Sequence, residues 1–250
     1  MKHLVSYSLY GTNLRYTVGA IKNAALIHHL PDFTARFYVG ESVPDWVIST
    51  LECFDNVEIW PVIGAEDSRS MFWRFYALGD LNYDYILVRD CDARFNAREL
   101  AMHREFVESG KDFHIIKDHP TGHNYLISGG LFAAKKIALH DIHKLIYAWE
   151  PQNKYGNDMA FLHKIIYPRI IGDAFIHDEY FGTPNSVKCK LPKEATLDMV
   201  GAALDENDRF IYENDQKTSL RENGGDVYRY HLDRPNPQGR DLYLSHGLGG

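Results

Sequence analysis

Two carboxylates follow the most hydrophobic stretch of the chain. Residues 86–88 form an apolar run, and Asp90 and Asp92 come directly after it with Cys91 between them. If the chain stays extended there, side chains at positions i and i+2 project to the same face, with roughly 6.5–7 Å between their backbone positions. Such a pair of carboxylates suits a hard divalent cation that keeps open positions for phosphate oxygens. The pattern predicts a metal site at the end of this strand, with Cys91 turned into the core.

The predicted elements indicate where this pair would lie. Hydrophobic patterns predict strands at residues 3–9, 35–39, 57–62, 85–88, 113–116, 125–133 and 174–177, and helices at residues 14–30, 46–54, 70–81, 97–108, 137–149 and 158–166. Strands that alternate with helices predict an α/β fold, a single Rossmann-like domain with a mostly parallel sheet covered by helices on both faces. Ligands of such open sheets bind beyond the carboxyl ends of the strands. Asp90 and Asp92 fall at such an end.

Charge and composition narrow the class of protein. The formal net charge of −7 over 250 residues gives no support for binding nucleic acid or an anionic membrane. Three cysteines without a repeated spacing are typical of reduced thiols rather than of a disulfide framework. The amino-terminal residues are too short and polar a stretch for a signal peptide, and no apolar run approaches membrane-spanning length. We therefore expect a cytoplasmic protein without a transmembrane segment.

The composition also suggests a boundary near the carboxyl end. Residues 1–204 carry the alternating pattern and are expected to form the ligand-binding domain. Residues 205–250 are more polar, and the last of them have no periodic pattern. We expect this extension either to pack on the domain or to be partly disordered.

Four segments together resemble a known family. They are Phe-Trp-Arg-Phe-Tyr-Ala-Leu at 72–78, Tyr-Ile-Leu-Val-Arg-Asp-Cys-Asp at 85–92, Ile-Ser-Gly-Gly-Leu-Phe at 127–132 and Tyr-Gly-Asn-Asp-Met-Ala-Phe-Leu at 155–162. In this order they resemble the core of the metal-dependent glycosyltransferases of the GT-A fold, nearest to the glycogenin and lipopolysaccharide galactosyltransferase type. The resemblance covers roughly residues 3–180 in element order. It implies transfer of a sugar from a nucleoside-diphosphate sugar, with UDP favoured, to a hydroxyl of a glycan or other acceptor.

The resemblance also implies roles for particular residues. Asp92 would bind Mn²⁺ or Mg²⁺, which neutralises the charge of the departing diphosphate, and Asp90 would bind the metal, the ribose or both. The implied donor-contacting residues are Tyr7, Ser8, Tyr10, Gly11, Arg74, Asp90, Gly129 and Gly130. From the residues alone, the two consecutive glycines mark either a bulge or a place where a ligand comes close, and Arg74 is either a donor contact or a surface side chain.

Two further assignments follow from the same resemblance. Asn157 and Asp158 begin a predicted helix, where they would either cap the helix or serve as catalytic groups. An acid there would be a general base in an inverting enzyme or would orient the donor sugar in a retaining one. His177, at the end of a short apolar strand, is favoured over His231 as a third metal ligand.

Two other classes of protein remain open at this stage. A sugar-1-phosphate nucleotidyltransferase also uses a parallel sheet and a metal bound by aspartate, but it would want a glycine-rich basic loop after the first strand. Here that loop has one glycine, Gly11, and Arg15 comes late. A non-catalytic protein that binds sugar nucleotides or glycans could share the fold. The chain has no Gly-x-x-x-x-Gly-Lys-Ser/Thr and no Gly-x-Gly-x-x-Gly motif, which disfavours nucleotide hydrolases and dinucleotide-binding folds.

Overall fold

The computed structural model describes residues 1–120, 122–193 and 199–212, and its centre is a seven-stranded sheet. The strands are β1 (His3–Leu9), β2 (Phe33–Gly40), β3 (Val57–Val62), β4 (Tyr85–Arg89), β5 (Phe113–Lys117), β6 (Leu131–Lys135) and β7 (Ala174–Asp178). Their order across the sheet is β3-β2-β1-β4-β6-β5-β7, and β6 alone among them runs antiparallel to its neighbours. The mostly parallel sheet predicted from the alternating pattern is confirmed.

Helices cover both faces of this sheet. The α-helices are α1 (Leu14–His28), α2 (Asp45–Leu51), α3 (Ala97–Ser109), α4 (Ile142–Trp149), α5 (Asn157–Phe161) and α6 (Tyr167–Ile170), and a 3₁₀ helix spans Ser68–Gly79. Side chains of α1, α2 and α3 pack on one face, and those of the 3₁₀ helix, α4, α5 and α6 pack on the other. The α/β class with two covered faces is therefore confirmed.

The local sequence accounts for the first turn from strand to helix. Asn13 caps α1, because its side-chain oxygen accepts a hydrogen bond from the Arg15 N–H at 3.0 Å. Ala20, Ala24 and Ile27 then recur at helical spacing and are fully buried against the sheet. This helix packs beside β2 and fixes the loop that joins β1 to α1.

The structure corrects several predicted boundaries on the second half of the sheet. The strand predicted at residues 125–133 begins only at Leu131, so that Gly129 and Gly130 lie in the loop before β6. The helix predicted at 137–149 begins at Ile142, since Ile137 has a φ of 74° that a helix does not allow. The helix predicted at 158–166 is α5 followed by one π-helical segment, Leu162–Ile166.

The segment after β7 returns to the amino-terminal half of the sheet. The Leu204 N–H donates to the carbonyl oxygen of Asp92 at 2.9 Å, and Asp208 forms ion pairs with Lys22 and Arg94. Residues 205–212 of the predicted extension therefore lie against α1 and the loop after β4. Residues 213–250 lie outside the described part of the chain. In the part that is described, we find no helix whose length and apolar character would let it cross a membrane.

Candidate active site

The two aspartates lie at the carboxyl end of β4, between β1 and β6 in the middle of the sheet. The chain does not stay extended there: the Ala93 N–H donates to the Asp90 carbonyl oxygen at 3.2 Å and closes a turn. The condition under which the two side chains would project to the same face is therefore not met. Asp90 reaches towards the 3₁₀ helix and contacts Arg74, whereas Asp92 reaches towards α1 and contacts Arg15.

Arg74 joins two of the predicted site carboxylates. Its guanidinium forms ion pairs with Asp90 and with Asp158, the second at 2.9 Å. The Arg74 side chain is buried, while that of Asp90 is 46% exposed. A buried guanidinium between two carboxylates is held in one orientation, since leaving either charge unpaired would be costly. Among the described residues, its Nε atom has no hydrogen-bond partner.

The backbone of Arg74 is fixed by β1. The Arg74 N–H donates to the Ser8 hydroxyl at 2.9 Å, and the Ser6 hydroxyl donates to the Arg74 carbonyl oxygen at 2.8 Å. Ser8 was predicted to contact the donor, but in the structure its hydroxyl holds the 3₁₀ helix in place. Two serines on alternate positions of one strand thus set the position of the arginine on the neighbouring element.

The two consecutive glycines make room for these charged groups. A Cβ atom on Gly129 would lie 3.0 Å from the Asp158 carboxylate and would overlap Arg74. A Cβ atom on Gly130 would overlap the Asp90 carboxylate, with the carboxyl carbon only 2.6 Å away. Both glycines therefore lie in the site, where they accommodate side chains of the protein itself.

Asp158 and Asn157 begin α5, but neither is the capping residue, which is Gly156 at a φ of 79°. Asp158 is 3% exposed. Burial raises the pKa of its carboxyl group, and the nearby charge of Arg74 partly offsets that effect. The Asn157 side-chain oxygen accepts hydrogen bonds from the Trp149 indole N–H at 3.1 Å and the Gln152 N–H at 2.9 Å. Asn157 therefore ties α5 to the end of α4 instead of facing the carboxylates.

Asp92 is held on the opposite side by Arg15. The Arg15 Nε–H donates to the Asp92 carboxylate at 2.8 Å, and the Asp92 side chain is 10% exposed. Burial and the neighbouring charge of Asp90 raise the pKa of Asp92, and Arg15 offsets part of this. Cys91 is buried as predicted, and burial raises the pKa of its thiol well above the usual range. It is a core residue here.

The loop after β1 separates into core and site residues. Tyr7 is buried and stacks on Phe37 with ring centroids 4.9 Å apart, so its side chain belongs to the core. Tyr10 is half-buried and packs edge-on against Trp73. Gly11 has a φ of 77°, a conformation that favours glycine. Apart from its chain neighbours, no atom of the described residues lies within 4 Å of the position that a Cβ would take there. Tyr10 and Gly11 remain available to a ligand at this edge.

His177 is not brought together with the two aspartates. It is fully buried on β7, three strands from β4, with its Nδ1 2.8 Å from His114 Nε2. Its Nε2 lies 3.4 Å from a Glu105 carboxylate oxygen. Within the described ranges, no group of three or more His, Cys, Asp or Glu side chains is arranged to hold a metal ion. This placement gives no support to the prediction of His177 as a third ligand, and His231 lies outside the described residues.

Sequence reasoning missed the partner of Asp92. Arg15 stands in the first turn of α1, where a cation gains nothing from the helix dipole. An arginine in that unfavourable position, directly after the loop that faces the aspartates, indicates that a nearby carboxylate pairs with it. The Arg74–Asp158 pair carried a weaker signal, because 84 residues separate the two positions.

Comparison with known proteins shows a likeness of fold. No family profile and no curated protein matches the sequence. Among solved structures, TarS 1-349 of S. aureus in complex with UDP matches at 14% identity and a TM-score of 0.51, over 72% of this chain and 58% of that 1-349 chain. The galactosyltransferase LgtC, in complex with donor and acceptor sugar analogs, matches at 14% identity and a TM-score of 0.46, over 70% of this chain and 73% of LgtC.

A synthase also matches, over most of the length of both chains. The 4-diphosphocytidyl-2C-methyl-D-erythritol synthase of Anaerococcus prevotii has 12% identity and a TM-score of 0.48, over 93% of this chain and 97% of that one. The likeness to TarS shows the fold: the chain has the mostly parallel α/β architecture of the GT-A glycosyltransferases.

Proposed function

We propose that this protein is a glycosyltransferase that moves a sugar from a nucleoside-diphosphate sugar to a hydroxyl group of a glycan. The observation that carries the proposal is the buried Arg74 held between Asp90 and Asp158, at the carboxyl edge of a GT-A-like sheet. That edge is where ligands of open α/β sheets bind. Fold alone would not favour catalysis over binding, so the proposal depends on these charged side chains.

The nucleotide would bind over the loop that follows β1. Tyr10 offers a half-buried ring there, and Gly11 leaves its backbone open to close approach. We favour UDP because the family that the sequence resembles uses it and because TarS, whose fold is similar, was solved with UDP. Nothing in the loop selects the sugar.

The donor set at Asp90 and Asp92 suits a divalent cation such as Mn²⁺ or Mg²⁺. Arg74 contacts Oδ1 of Asp90 and Arg15 contacts Oδ2 of Asp92, so one oxygen of each carboxylate is not engaged by an arginine. Hard carboxylate oxygens with positions left for phosphate oxygens and water fit these cations. When bound, the cation would neutralise charge on the departing nucleoside diphosphate.

The charge balance of the site supports the same proposal. Three carboxylates, Asp90, Asp92 and Asp158, are matched by two guanidiniums, those of Arg15 and Arg74. The resulting excess of one negative charge would repel a diphosphate, and one divalent cation would reverse the sign. A preorganised positive environment is what stabilises a leaving group that gains negative charge.

Arg74 and Asp158 would then act as one unit. Arg74 would donate to the donor sugar or phosphate, and Asp158 would hold the guanidinium in place. In an inverting reaction the Asp158 carboxylate would also accept the proton of the acceptor hydroxyl. In a retaining reaction the pair would orient the donor sugar, and the anomeric configuration of the product distinguishes the two.

Incubation with a panel of nucleotide sugars tests the proposal. The wild-type protein, Mn²⁺ and a mixture of glycan acceptors should release a nucleoside diphosphate and form a product heavier by one sugar, both measured by mass spectrometry. Release of pyrophosphate from a nucleoside triphosphate and a sugar 1-phosphate would instead indicate a nucleotidyltransferase. Binding of sugar nucleotides without release of diphosphate would indicate a non-catalytic binding protein.

A further inference from the structure

A cleft lined by aromatic rings lies away from the candidate active site. Two adjoining cavities of about 480 and 450 Å³ share Tyr76 and His143 as walls, so they form the two halves of one cleft. Tyr38 and Trp60 line one half and Tyr147 lines the other. We call these five side chains the aromatic cleft. Both volumes fall in the range of roughly 300–1,000 Å³ that is usual for ligand sites.

The aromatic cleft is separate from the site at the end of β4. Tyr38 and Trp60 pair with each other across β2 and β3. Asp80 and Asn82, which line the same cleft, come before β4, whereas Asp90 follows it. By strand register Tyr38 and Trp60 lie level with the carboxyl end of β4, but on strands two and three positions away from it. Neither Arg74 nor any of the three site carboxylates is among the described residues that line the cleft.

The rings of the cleft are held in place by each other. Tyr76 stacks on His143 with centroids 5.3 Å apart and an angle of 21° between the ring planes. Tyr38 packs edge-on against both Tyr76 and Trp60. Trp60 and Tyr147 are nevertheless 48% and 85% exposed, so their faces are available to a ligand.

A buried ion network supports Trp60 from one side. The Arg36 guanidinium lies 4.3 Å from the centroid of the Trp60 ring. Arg36 is itself 3% exposed and forms ion pairs with Glu58 and Asp80, each at 2.6 Å. The indole is thus fixed before any ligand binds, which lowers the entropy lost on binding.

The charges of the cleft select against anionic ligands. Among the described residues that line the cleft, Arg36 is the one arginine or lysine. Its charge is already neutralised by two carboxylates, those of Glu58 and Asp80. Glu150 adds a further negative charge at the other end. A phosphate, a nucleic acid or an acidic glycan would find no free arginine or lysine there. Flat apolar rings edged by neutral groups such as the Asn82 amide match a neutral sugar ring, which has an apolar C–H face and a rim of hydroxyls.

We propose that the aromatic cleft binds a neutral oligosaccharide at a distance from the catalytic centre. Trp60 and Tyr147 contact the faces of separate sugar rings, the stacked pair of Tyr76 and His143 forms the wall between them, and Asn82 and His143 bind sugar hydroxyl groups. This binding does not depend on the proposed transfer reaction, because no residue of the candidate active site takes part in it. In a glycosyltransferase it would hold the chain of a long acceptor.

Matched tryptophan variants test this proposal. Trp60→Ala is compared with Trp46→Ala, since Trp46 on α2 is exposed to nearly the same extent, 49% against 48%, but is not among the described residues that line the cleft. Calorimetry on the full chain measures binding of maltohexaose, cellohexaose and chitohexaose, with a heparin hexasaccharide and a lysine hexapeptide as charged probes. Tyr147→Ala is the second variant, because a side chain that is 85% exposed can be removed without unfolding the protein.

The expected result is binding of at least one neutral hexasaccharide by wild type and Trp46→Ala. Its affinity should fall by about tenfold or more in Trp60→Ala and severalfold in Tyr147→Ala. Asp158→Asn should bind it like wild type, which separates this site from the proposed active site. Equal affinities in Trp60→Ala and Trp46→Ala, absence of binding to all three neutral probes, or binding to a charged probe alone would each overturn the proposal.

Discussion

Asp158 is a candidate functional residue because of its surroundings. It is buried, paired with Arg74 and near Asp90, and burial raises the pKa of its carboxyl group. A buried carboxylate that only capped a helix would accept bonds from the first N–H groups of α5. Asp158 accepts such bonds from its own N–H and that of Met159, and it also pairs with a guanidinium from another element, which is typical of a site assembled from several parts of the chain.

We expect Asp158→Asn to lower kcat by at least about a hundredfold, because the amide can neither accept a proton nor hold Arg74 by charge. The volume of the side chain hardly changes, but Arg74 loses one of its two paired charges, so the melting temperature should also fall and the rates are compared at a temperature at which the variant is folded. Steady-state rates of diphosphate release measure the effect. Asp55→Asn, at an exposed position, is the control and should leave the rate unchanged. A rate for Asp158→Asn within a few-fold of wild type would exclude it from the reaction.

Asp92 tests the proposed cation. We expect Asp92→Ala to abolish transfer and to weaken UDP binding in the presence of Mn²⁺, since it removes one of the two carboxylates and leaves Arg15 unpaired. The Kd of UDP is measured by calorimetry with Mn²⁺ and again with excess chelator. Wild type should lose affinity in the chelator, and the variant should not respond to Mn²⁺. Equal UDP affinity in wild type with and without the cation would contradict the metal proposal.

At the scale of elements, the loop before β6 packs closely against charged side chains of the site, including Arg74 of the 3₁₀ helix. Gly129 and Gly130 lie where Arg74, Asp158 and Asp90 come closest to the backbone. The consequence is that a methyl group at either glycine must displace a charged side chain of the site. Neither glycine has a positive φ. The close approach of these side chains, and not the backbone conformation, therefore explains why both positions are glycine.

Gly130→Ala should therefore reduce transfer strongly, because its Cβ overlaps the Asp90 carboxylate and Asp90 must turn away. Gly172→Ala is the matched control, because among the residues that the structure describes its Cβ would meet no atom within 4 Å beyond its chain neighbours, and its φ is not positive. Rates and melting temperatures of both variants are compared with wild type. If the two variants keep equal activity, the close packing of Gly130 against Asp90 has no role in the reaction.

A second element-scale feature is the buried histidine pair beneath α3. His114 is fully buried, stacks on Phe106 of α3 at 5.0 Å and contacts His177. Burial lowers the pKa of His114 well below its usual value, and the neighbouring His177 is the second cause of this shift. The unfolded chain takes up this proton at about pH 6.5, and the folded chain does not. Stability is therefore present above that pH and falls as the pH decreases below it.

We expect His114→Phe to weaken this acid sensitivity. One proton fewer is then taken up on unfolding, so the free energy of unfolding should fall less steeply between about pH 6.5 and 5, by up to about 1.4 kcal/mol per pH unit. Urea unfolding at several pH values gives the slope. The exposed His29→Phe is the control. Identical slopes for His114→Phe and wild type would show that His114 is protonated in the folded state.

The sequence predicted the sheet but not the side-chain pairs of the site. Alternating apolar runs and helical spacing give the α/β class, since they depend on local burial. The Arg15–Asp92 and Arg74–Asp158 pairs depend on where distant segments meet, 77 and 84 residues apart. The same limit applies to Tyr7, Asn157 and His177. Only the packing shows that Tyr7 stacks in the core, that Asn157 bonds to the end of α4 and that His177 contacts the buried His114.

On the scale of the whole molecule, the two faces of the sheet have different roles. The face under α1, α2 and α3 carries Arg15 and the apolar packing of β1 and β2. The opposite face carries Arg74, Asp158 and, farther along, the aromatic cleft. A donor at the carboxyl edge would lie between cations from both faces. This arrangement brings together parts of β1, the 3₁₀ helix, β4 and α5, so the site depends on the complete fold.

The most direct test of the account is the rate of sugar transfer from UDP-sugars by wild type and by Arg74→Met. Arg74 is the residue that links Asp90 to Asp158, and methionine keeps an unbranched side chain without the charge. Folding of the variant is checked by its circular dichroism spectrum. The account predicts transfer by wild type with Mn²⁺ and loss of at least about a hundredfold in kcat/KM for the folded variant. No transfer from any nucleotide sugar by wild type, or equal transfer by a folded Arg74→Met, would contradict it.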